Sequence, residues 1–288
     1  MKEQTYVIKN NKSFEPTHIF DCGQCFRWNK QEDGSYTGVV NKSVLNVDKQ
    51  GKIVTINGIC EGNIDDIIIE YFDLNTDYEK IKIELSNIDE YLKNSIKFGE
   101  GIRILNQDLW ETIISFIISA NNNIPRIKGI IERISKAYGD EIEYKGTRYY
   151  TFPTPEQLSK ASVEDLRKLG LGFRDQRVYD TTRIILNKEI SLEELEQEKD
   201  VEVLREKLLT LPGVGPKVAD CIMLFGLKKF EVFPIDVWVR RVMNELYIKE
   251  NDETKVDKKQ IEKLAKEKYA NLAGLAQQYL FYWKRETA

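Results

Sequence analysis

Two charged residues in the C-terminal half of the chain have the side chains and positions needed for covalent chemistry. Lys217 follows Pro216 at the start of a predicted helix, and Asp236 follows Pro234 at the start of another. An amine can attack carbon and form a Schiff base if burial and the positive end of a helix lower its pKa from about 10.4. A carboxylate at a helix start stays ionised and can stabilise positive charge developing on a sugar. The alternatives on spacing alone are a surface lysine beside a phosphate and a simple helix cap.

The residues before Lys217 predict two helices joined by a tight hairpin. Apolar helical runs cover 201–209 and 218–227, and the hairpin at 211–216 reads Leu-Pro-Gly-Val-Gly-Pro. Gly213 and Gly215 permit backbone angles that allow a sharp turn, and Pro216 suits the first turn of a helix. Backbone N–H groups and the helix dipole then point the same way, so we expect the hairpin to bind a phosphate. Whether it also holds a structural cation stays open.

Composition restricts the class of protein. The chain has 288 residues, of which 41% are hydrophobic, and four are cysteines. These values favour two globular domains in a reducing compartment and exclude wholesale disorder. No apolar run is long enough to cross a membrane and no signal peptide is recognisable, so we expect a cytoplasmic protein without a membrane partner, associated with the nucleoid if the source is bacterial.

The net charge of −4 is unusual for a protein that binds nucleic acid, but the charges are unevenly spread. Acidic residues dominate 61–90 and 189–200. A basic face can still hold several phosphates, with a strong dependence on salt. The basic residues in the turns near the hairpin are Arg126, Lys128, Arg174, Arg177, Lys217, Arg240 and Arg241.

The hydrophobic patterns predict an α+β protein, with an antiparallel sheet followed by a larger helical part. Short strands separated by turns dominate the first 100 residues, and helical periodicity dominates from Asp108 onward. We therefore predict a β-rich domain at 1–103 and a helical domain at 104–288. We expect one helix over 81–92, an irregular segment over 139–155, and a capping box between Asp108 and Glu111.

Several segments resemble the 8-oxoguanine DNA glycosylases of the helix-hairpin-helix superfamily. The segment from Val214 to Cys221 carries the hairpin and the lysine that marks members which also nick the strand. The resemblance implies a glycosylase and lyase that acts as a monomer on double-stranded DNA containing 8-oxoguanine, with no catalytic metal or organic cofactor. The other matching segments are Cys22-Gly23-Gln24-Cys25-Phe26-Arg27-Trp28, Phe233-Pro234-Ile235-Asp236-Val237, the stretch from Ser119 to Ile124, and the stretch from Ala273 to Phe281.

The resemblance also implies which residues recognise the base. The carbonyl of Gly23 would accept the N7 hydrogen of 8-oxoguanine, which guanine lacks, so one buried acceptor discriminates between them. Gln277 would bond the Watson–Crick edge of the base. Phe281 would stack on one face and Cys221 would close the other. Gln277 and Phe281 are four residues apart and share one helix face. In this reading Lys217 attacks C1′ while Asp236 offsets positive charge on the sugar.

A second set of residues would bind the DNA around the extruded base. Asn121 would fill the vacated space, and Arg126 and Arg174 would contact the orphaned cytosine. Phe173 would wedge into the stack, where many members have tyrosine. Gly213, Gly215 and Trp238 would contact phosphates, although Trp238 stands where animal enzymes have histidine. The preference for the opposite base therefore stays open.

Two rival functions remain at this point. An alkylpurine DNA glycosylase without lyase activity would use water with the aspartate, but Lys217 argues against it. A non-catalytic helix-hairpin-helix DNA-binding protein would not need the pair Lys217 and Asp236. The Cys22 to Cys25 spacing suits zinc or redox chemistry, but the single histidine and the lack of a βαβ pattern argue against both. No cysteine follows Cys221, which excludes the iron–sulfur cluster of the endonuclease III branch.

Overall fold

The N-terminal part of the chain is a twisted antiparallel sheet. The structure is a computed structural model that describes residues 1–9, 13–252 and 255–287. The sheet has the strand order β1-β5-β4-β3-β2, so each strand from β2 to β5 pairs with its sequence neighbour and β1 closes the far edge. Its strands are β1 (Lys2–Lys9), β2 (Trp28–Lys30), β3 (Tyr36–Val40), β4 (Ser43–Gln50) and β5 (Ile53–Cys60).

Helices make up most of the remaining chain, which confirms the predicted α+β class. The helices of the first hundred residues are α1 (Pro16–Phe20), α2 (Ile64–Tyr71), α3 (Tyr78–Ser86) and α4 (Glu90–Phe98). Those that follow are α5 (Leu109–Ser119), α6 (Ile124–Tyr138), α7 (Pro155–Leu158), α8 (Val163–Lys168), α9 (Asp175–Leu186), α10 (Leu192–Gln197), α11 (Val201–Leu209), α12 (Pro216–Gly226), α13 (Val237–Met243), α14 (Lys258–Tyr269) and α15 (Ala273–Thr287). Short 3₁₀ turns cover Gly172–Arg174 and Ala270–Leu272, and a π turn covers Asn244–Ile248.

Two large hydrophobic cores and one small cluster hold the described residues together. The first lies under the sheet, where Phe20 stacks on Trp28 with ring centroids 4.1 Å apart. The second is larger and surrounds α5 and α12, two nearly apolar helices that pack against each other. Leu85 of α3 and Leu92 of α4 belong to this second core, and α4 packs against the C-terminal helix α15. The domain limits 1–103 and 104–288 stay a prediction.

The expected single helix over 81–92 is wrong, because the segment contains two helices. α3 ends at Ser86, and Asp89 has extended backbone angles and accepts a hydrogen bond of 2.8 Å from Leu92 N. The sequence predicts one helix because Ile81, Leu85 and Leu92 have helical spacing that continues across the break. The aspartate caps a new helix because its side chain satisfies an N–H group that the helix itself cannot.

The segment 139–155 is not irregular throughout. It contains a two-stranded hairpin of β6 (Glu141–Tyr144) and β7 (Thr147–Tyr150). Lys145 and Gly146 both have positive φ, 49° and 75°, which is the conformation that a tight two-residue hairpin requires. Ile142 and Tyr144 pack against the main sheet.

The expected capping box at Asp108 is half right. Asp108 accepts a hydrogen bond of 2.7 Å from Glu111 N, so the cap itself is present. The Glu111 carboxylate does not return to the cap but lies 3.7 Å from Nη1 of Arg27. Burial raises the pKa of Glu111 to about 7, and the Arg27 guanidinium offsets this only in part. The pair joins the sheet segment to α5.

Glu111 should make the stability of the protein depend on pH. Its pKa rises from 4.5 to about 7 on folding, so the folded state binds more protons between these values and stability falls as pH rises through the window. One pKa unit corresponds to about 1.36 kcal/mol. Between pH 4.5 and about 7, the free energy of unfolding of the wild-type protein should therefore fall by roughly 3 kcal/mol relative to that of Glu111→Gln. Denaturant unfolding of both proteins from pH 4.5 to 8 measures the difference. Parallel curves would contradict the assignment.

Among the described residues, none of the helices combines the length and the apolar character that crossing a bilayer requires.

Candidate active site

The predicted helix-hairpin-helix is formed by α11, a turn over 210–215, and α12. Val214 N donates to Leu211 O at 3.0 Å, which closes the turn. Gly213 has φ +89°, and a Cβ there would lie 2.8 Å from Cδ of Arg177, so both conformation and space require glycine. Gly215 occupies the N-cap of α12 without a side chain to cap it. The first N–H groups of a helix have no intrahelical partner. Phosphate binding by Gly213 and Gly215 stays a prediction.

One cavity brings together six of the residues singled out from the sequence. Its volume is about 50 Å³. The six residues are Gly23, Lys217, Cys221, Asp236, Gln277 and Phe281. Five further lining residues, Cys22, Phe116, Phe225, Pro234 and Gln278, were not assigned to the pocket from sequence. Residues from both ends of the chain therefore meet the hairpin lysine and the aspartate around one space.

Lys217 lies in the first turn of α12 and is half-buried against the cavity wall. Its Nζ is 5.4 Å from the centroid of the Phe116 ring. Cys221 follows one helical turn later. Burial raises the pKa of the Cys221 thiol to about 11, against a lowering effect of the positive Lys217. The thiol therefore stays protonated at neutral pH, so Cys221 adds no charge to the cavity wall beside the amine.

Asp236 is the N-cap of α13, as predicted. Its carboxylate accepts a hydrogen bond of 2.7 Å from Val239 N, and its side chain is half-buried in the cavity wall. A carboxylate that is held by its own helix and lines the same cavity as Lys217 can stabilise a cationic sugar in that cavity.

Gly23 is held in place by a residue that we did not predict. Its φ is +90°, and a Cβ would lie 3.6 Å from Cε1 of Phe281. Gln278 is buried and donates a hydrogen bond of 2.6 Å from Nε2 to the carbonyl of Cys22, the residue before Gly23. The available signal was the second glutamine of the Gln277-Gln278 pair, which lies on another face of α15.

The loop that carries Gly23 is also anchored by the side chain of Gln24. This residue is fully buried, and its Nε2 donates to Ile19 O at 2.9 Å and to Arg103 O at 2.8 Å. Its Oε1 accepts from Leu105 N at 2.9 Å. Because both ends of the amide are used within the protein, Gln24 holds the loop and does not face the cavity.

Gln277 presents a polar group to the cavity. Its side chain is 6% exposed, and Oε1 has no hydrogen-bond partner among the described residues. An unpaired buried amide oxygen is costly unless a ligand pairs with it. Phe281 lies one turn further along α15, and the guanidinium of Arg285 is 5.3 Å from the centroid of its ring. Base recognition by Gln277 and Phe281 stays a prediction.

Gln277→Ala should separate base recognition from DNA binding. We expect single-turnover excision of 8-oxoguanine to fall about tenfold to a hundredfold, since one or two hydrogen bonds in a desolvated site are lost. Affinity for undamaged duplex should change less than about twofold, because Gln277 is buried away from the surface. Gln260→Ala, at an exposed position of α14, is the control. Equal losses of excision and of duplex binding would argue against this role.

Phe173 is a surface residue and does not belong to either core. Its side chain is 56% exposed, and the Cζ atom of Arg174 lies 4.2 Å from its ring centroid. Asn121, two residues after the end of α5, is exposed with φ +51°. Both side chains are therefore accessible, as a DNA wedge and a space-filling residue would need to be. Their roles stay predictions.

The two arginines expected to read the orphaned cytosine differ in their surroundings. Arg126 is exposed, and its Nη2 donates to Gly170 O at 3.5 Å. Arg174 is 2% exposed and donates to the carbonyls of Ala120, Asn121 and Leu171. Contact of Arg174 with a base would require release of these bonds. Both assignments stay predictions.

Trp238 lies in the first turn of α13 and is half-buried against the larger core. Its indole N–H is buried and has no hydrogen-bond partner among the described residues. In this arrangement the indole N–H is not accessible to a phosphate, so the predicted phosphate contact would need another atom or a rotated ring.

The cysteines fit neither zinc binding nor a reactive thiol pair. All four are buried and free of disulfides. Burial raises the pKa of Cys22 to about 11 and that of Cys25 well above its usual value. Within the described ranges, no group of three or more His, Cys, Asp or Glu side chains is arranged to hold a metal ion.

Comparison with protein families identifies the class to which this fold and cavity belong. Residues 114–271 match the HhH-GPD superfamily base excision DNA repair protein, and residues 6–113 match the 8-oxoguanine DNA glycosylase, N-terminal domain. The chain therefore belongs to the HhH-GPD superfamily of base excision DNA repair proteins, and within it to the group with the 8-oxoguanine DNA glycosylase N-terminal domain.

Individual relatives agree with this assignment. The N-glycosylase/DNA lyase of Saccharomyces cerevisiae is 32% identical over 256 residues, which cover 80% of this chain and 67% of the yeast protein. The Arabidopsis thaliana N-glycosylase/DNA lyase OGG1 is 29% identical over 279 residues, covering 91% and 75%. The 8-oxoguanine glycosylase/lyase of Clostridium acetobutylicum, in complex with duplex DNA containing cytosine opposite 8-oxoguanine, superposes with a TM-score of 0.93 at 45% identity over 99% of this chain and 97% of that one.

Proposed function

We propose that this chain removes 8-oxoguanine from duplex DNA and then nicks the strand at the resulting site. The observation that carries the proposal is the single cavity in which Lys217, Asp236 and four candidate base-reading residues meet. A protein that only held phosphates would need the hairpin but not this cavity. An alkylpurine glycosylase that used water would not need the amine in the cavity wall.

The reaction begins with attack of the Lys217 amine on C1′ of the damaged nucleotide. The bond from C1′ to the base breaks, and the base leaves with the bonding electron pair and takes up a proton. Asp236 stabilises the positive charge that develops on the sugar during this step. The ring of the resulting aminal opens to a Schiff base between Nζ and C1′.

Strand cleavage follows from the Schiff base. The iminium acidifies the C2′ hydrogen, and loss of that proton expels the 3′ phosphate by β-elimination. Water then hydrolyses the imine and releases the lysine. No step draws on a group beyond those of the protein, the DNA and water.

Recognition in this proposal depends on the peptide at Gly23. Its carbonyl accepts the N7 hydrogen that only the oxidised base carries, and the bond from Gln278 to the Cys22 carbonyl holds the preceding peptide. A base without that hydrogen would place a lone pair against a carbonyl oxygen, which is unfavourable in a dry cavity. Phe281 stacks on the base and the protonated Cys221 thiol closes the opposite face.

Borohydride trapping on wild-type protein tests the function. We expect a covalent adduct with a duplex containing 8-oxoguanine, and little adduct with the same duplex containing guanine. Base release without a trapped adduct would favour a glycosylase that uses water. Binding without base release would favour a non-catalytic DNA-binding protein.

The remaining parts of the proposal concern partners and location. The substrate is double-stranded DNA containing 8-oxoguanine, bound by a monomer, and the protein acts in the cytoplasm or at a bacterial nucleoid. The buried cysteines without disulfides support a reducing compartment. Light scattering of the free protein and of its complex with one duplex measures the stoichiometry.

A further inference from the structure

Arg177 lies between two parts of the DNA-binding surface that the sequence treats as separate. It occupies the first turn of α9, just after the 3₁₀ turn that carries Phe173. Its Cζ atom is 5.2 Å from the centroid of the exposed Phe173 ring. Its aliphatic stem packs on the hairpin, where Cδ would lie 2.8 Å from a Cβ at Gly213. One side chain thus touches both the wedge residue and the phosphate-binding turn.

The two arginines beside the Phe173 ring are held differently. Arg174 is buried and its guanidinium donates to the backbone carbonyls of the Asn121 loop. Arg177 is half-buried, and its side chain forms neither a hydrogen bond nor an ion pair with any described residue. A guanidinium has five N–H donors arranged to bind a phosphate, and those of Arg177 bond to none of the residues that the structure describes.

The surroundings of Arg177 are strongly positive. Besides burial, the positive charges of Arg126 and Arg177 lower the pKa of Arg174, which places three guanidinium groups close together. None of the ion pairs found between described residues involves Arg126, Arg174 or Arg177. Such a cluster repels itself in the free protein and is relieved when an anion binds.

We propose that Arg177 is a positioning residue. Its guanidinium binds a DNA phosphate and also contacts the Phe173 ring, which holds the ring in a fixed position relative to that phosphate. The proposal rests on the proposed function, because it assigns the exposed ring to insertion into DNA. The cation–π contact limits rotation of the ring, and the stem resting on Gly213 fixes the guanidinium relative to the hairpin. Binding of phosphate at Arg177 therefore places the wedge in register with the backbone held by the hairpin.

Two substitutions separate the charge of Arg177 from its planar ring contact. Arg177→Gln keeps a side chain that can cover Gly213 but loses the charge. We expect single-turnover excision of 8-oxoguanine to fall about tenfold and the slope of log K against log salt for undamaged duplex to decrease by about one. Arg177→Lys should restore the salt slope but only part of the excision rate, because an ammonium does not stack on the ring as a guanidinium does.

A coupling measurement distinguishes positioning from a general loss of stability. In the Phe173→Ala background, Arg177→Gln should lower excision by less than about threefold, while the salt slope still decreases by about one. Fluorescence of 2-aminopurine beside a stable abasic-site analogue should report ring insertion, and Arg177→Gln should weaken that signal. The matched control is Arg183→Gln on the same helix, where the arginine contacts Tyr179 and the Ser159 carbonyl instead.

Different results would overturn the role of Arg177 and the proposed function. An unchanged salt slope in Arg177→Gln would overturn the proposal. It would also be overturned if the fold losses of excision caused by Arg177→Gln and by Phe173→Ala multiplied in the double variant, because the two residues would then act independently. The same tenfold loss in Arg183→Gln would also overturn it. Failure of the wild-type protein to release 8-oxoguanine would overturn the proposed function instead. The salt slope and the 2-aminopurine signal do not need excision and would still test Arg177.

Discussion

Lys217→Gln is expected to abolish the covalent adduct with DNA and to lower excision of 8-oxoguanine by about four orders of magnitude or more. Removing a nucleophile removes the whole covalent route, so the loss resembles that seen when a single essential group of a catalytic set is deleted. Glutamine keeps a polar end on a side chain only one atom shorter beside Phe116, so folding and DNA affinity should change little. Borohydride trapping and single-turnover base release measure the two effects.

The matched control is Lys207→Gln on the neighbouring helix α11. This lysine lies 3.7 Å from Glu194 and does not line the cavity. Its replacement should leave trapping and excision within about twofold of wild type, as is usual for surface positions. Normal trapping by Lys217→Gln would assign the nucleophile to another amine and would remove the basis of the proposed mechanism.

Asp236→Asn is expected to lower excision by about a hundredfold to a thousandfold, with little loss of stability. Asparagine is as good an N-cap as aspartate, so it can replace the acceptor for Val239 N. What it cannot supply is the negative charge that offsets the cationic sugar, and a fixed charge in a dry site is worth several kcal/mol, of the order of 3. The free energy of unfolding should fall by less than about 1 kcal/mol, from the lost interaction with the helix dipole.

Asp236→Ala completes this comparison because it removes the cap and the charge together. It should match Asp236→Asn in activity but lose about 1 kcal/mol more stability. If Asp236→Asn kept full excision while Asp236→Ala lost it, the residue would be a structural cap alone. Urea unfolding and single-turnover excision on the same preparations distinguish these results.

Local features of the chain could be predicted from the sequence because interactions between nearby residues determine them. The hairpin follows from glycines and prolines at 212–216, and the caps at Asp108 and Asp236 follow from side chains that reach their own helix N-terminus. The antiparallel sheet follows from short alternating strands. These features depend on residues within a few positions of one another, so the sequence alone predicts them.

Errors arose where a distant contact took a side chain or where one local signal hid another. Glu111 has the spacing of a capping box, but Arg27 takes its carboxylate. Asp89 lies in an apolar periodic run, yet it caps a second helix. The 141–150 hairpin has no residue pair typical of tight turns, since Lys145 adopts positive φ beside Gly146.

The cavity was assembled only by the tertiary structure. Resemblance suggested Gly23, Gln277 and Phe281, but no spacing rule predicts that Gln278 holds the Cys22 carbonyl from 256 positions away. The burial of Arg174 and the contact of Arg177 with Gly213 likewise depend on how α9 packs on the hairpin. The sequence by itself determined the reactive groups and the turns that present them. Packing of the two cores decided which groups face one another, because side chains distant in sequence meet only when the helices and the sheet bury their apolar faces together.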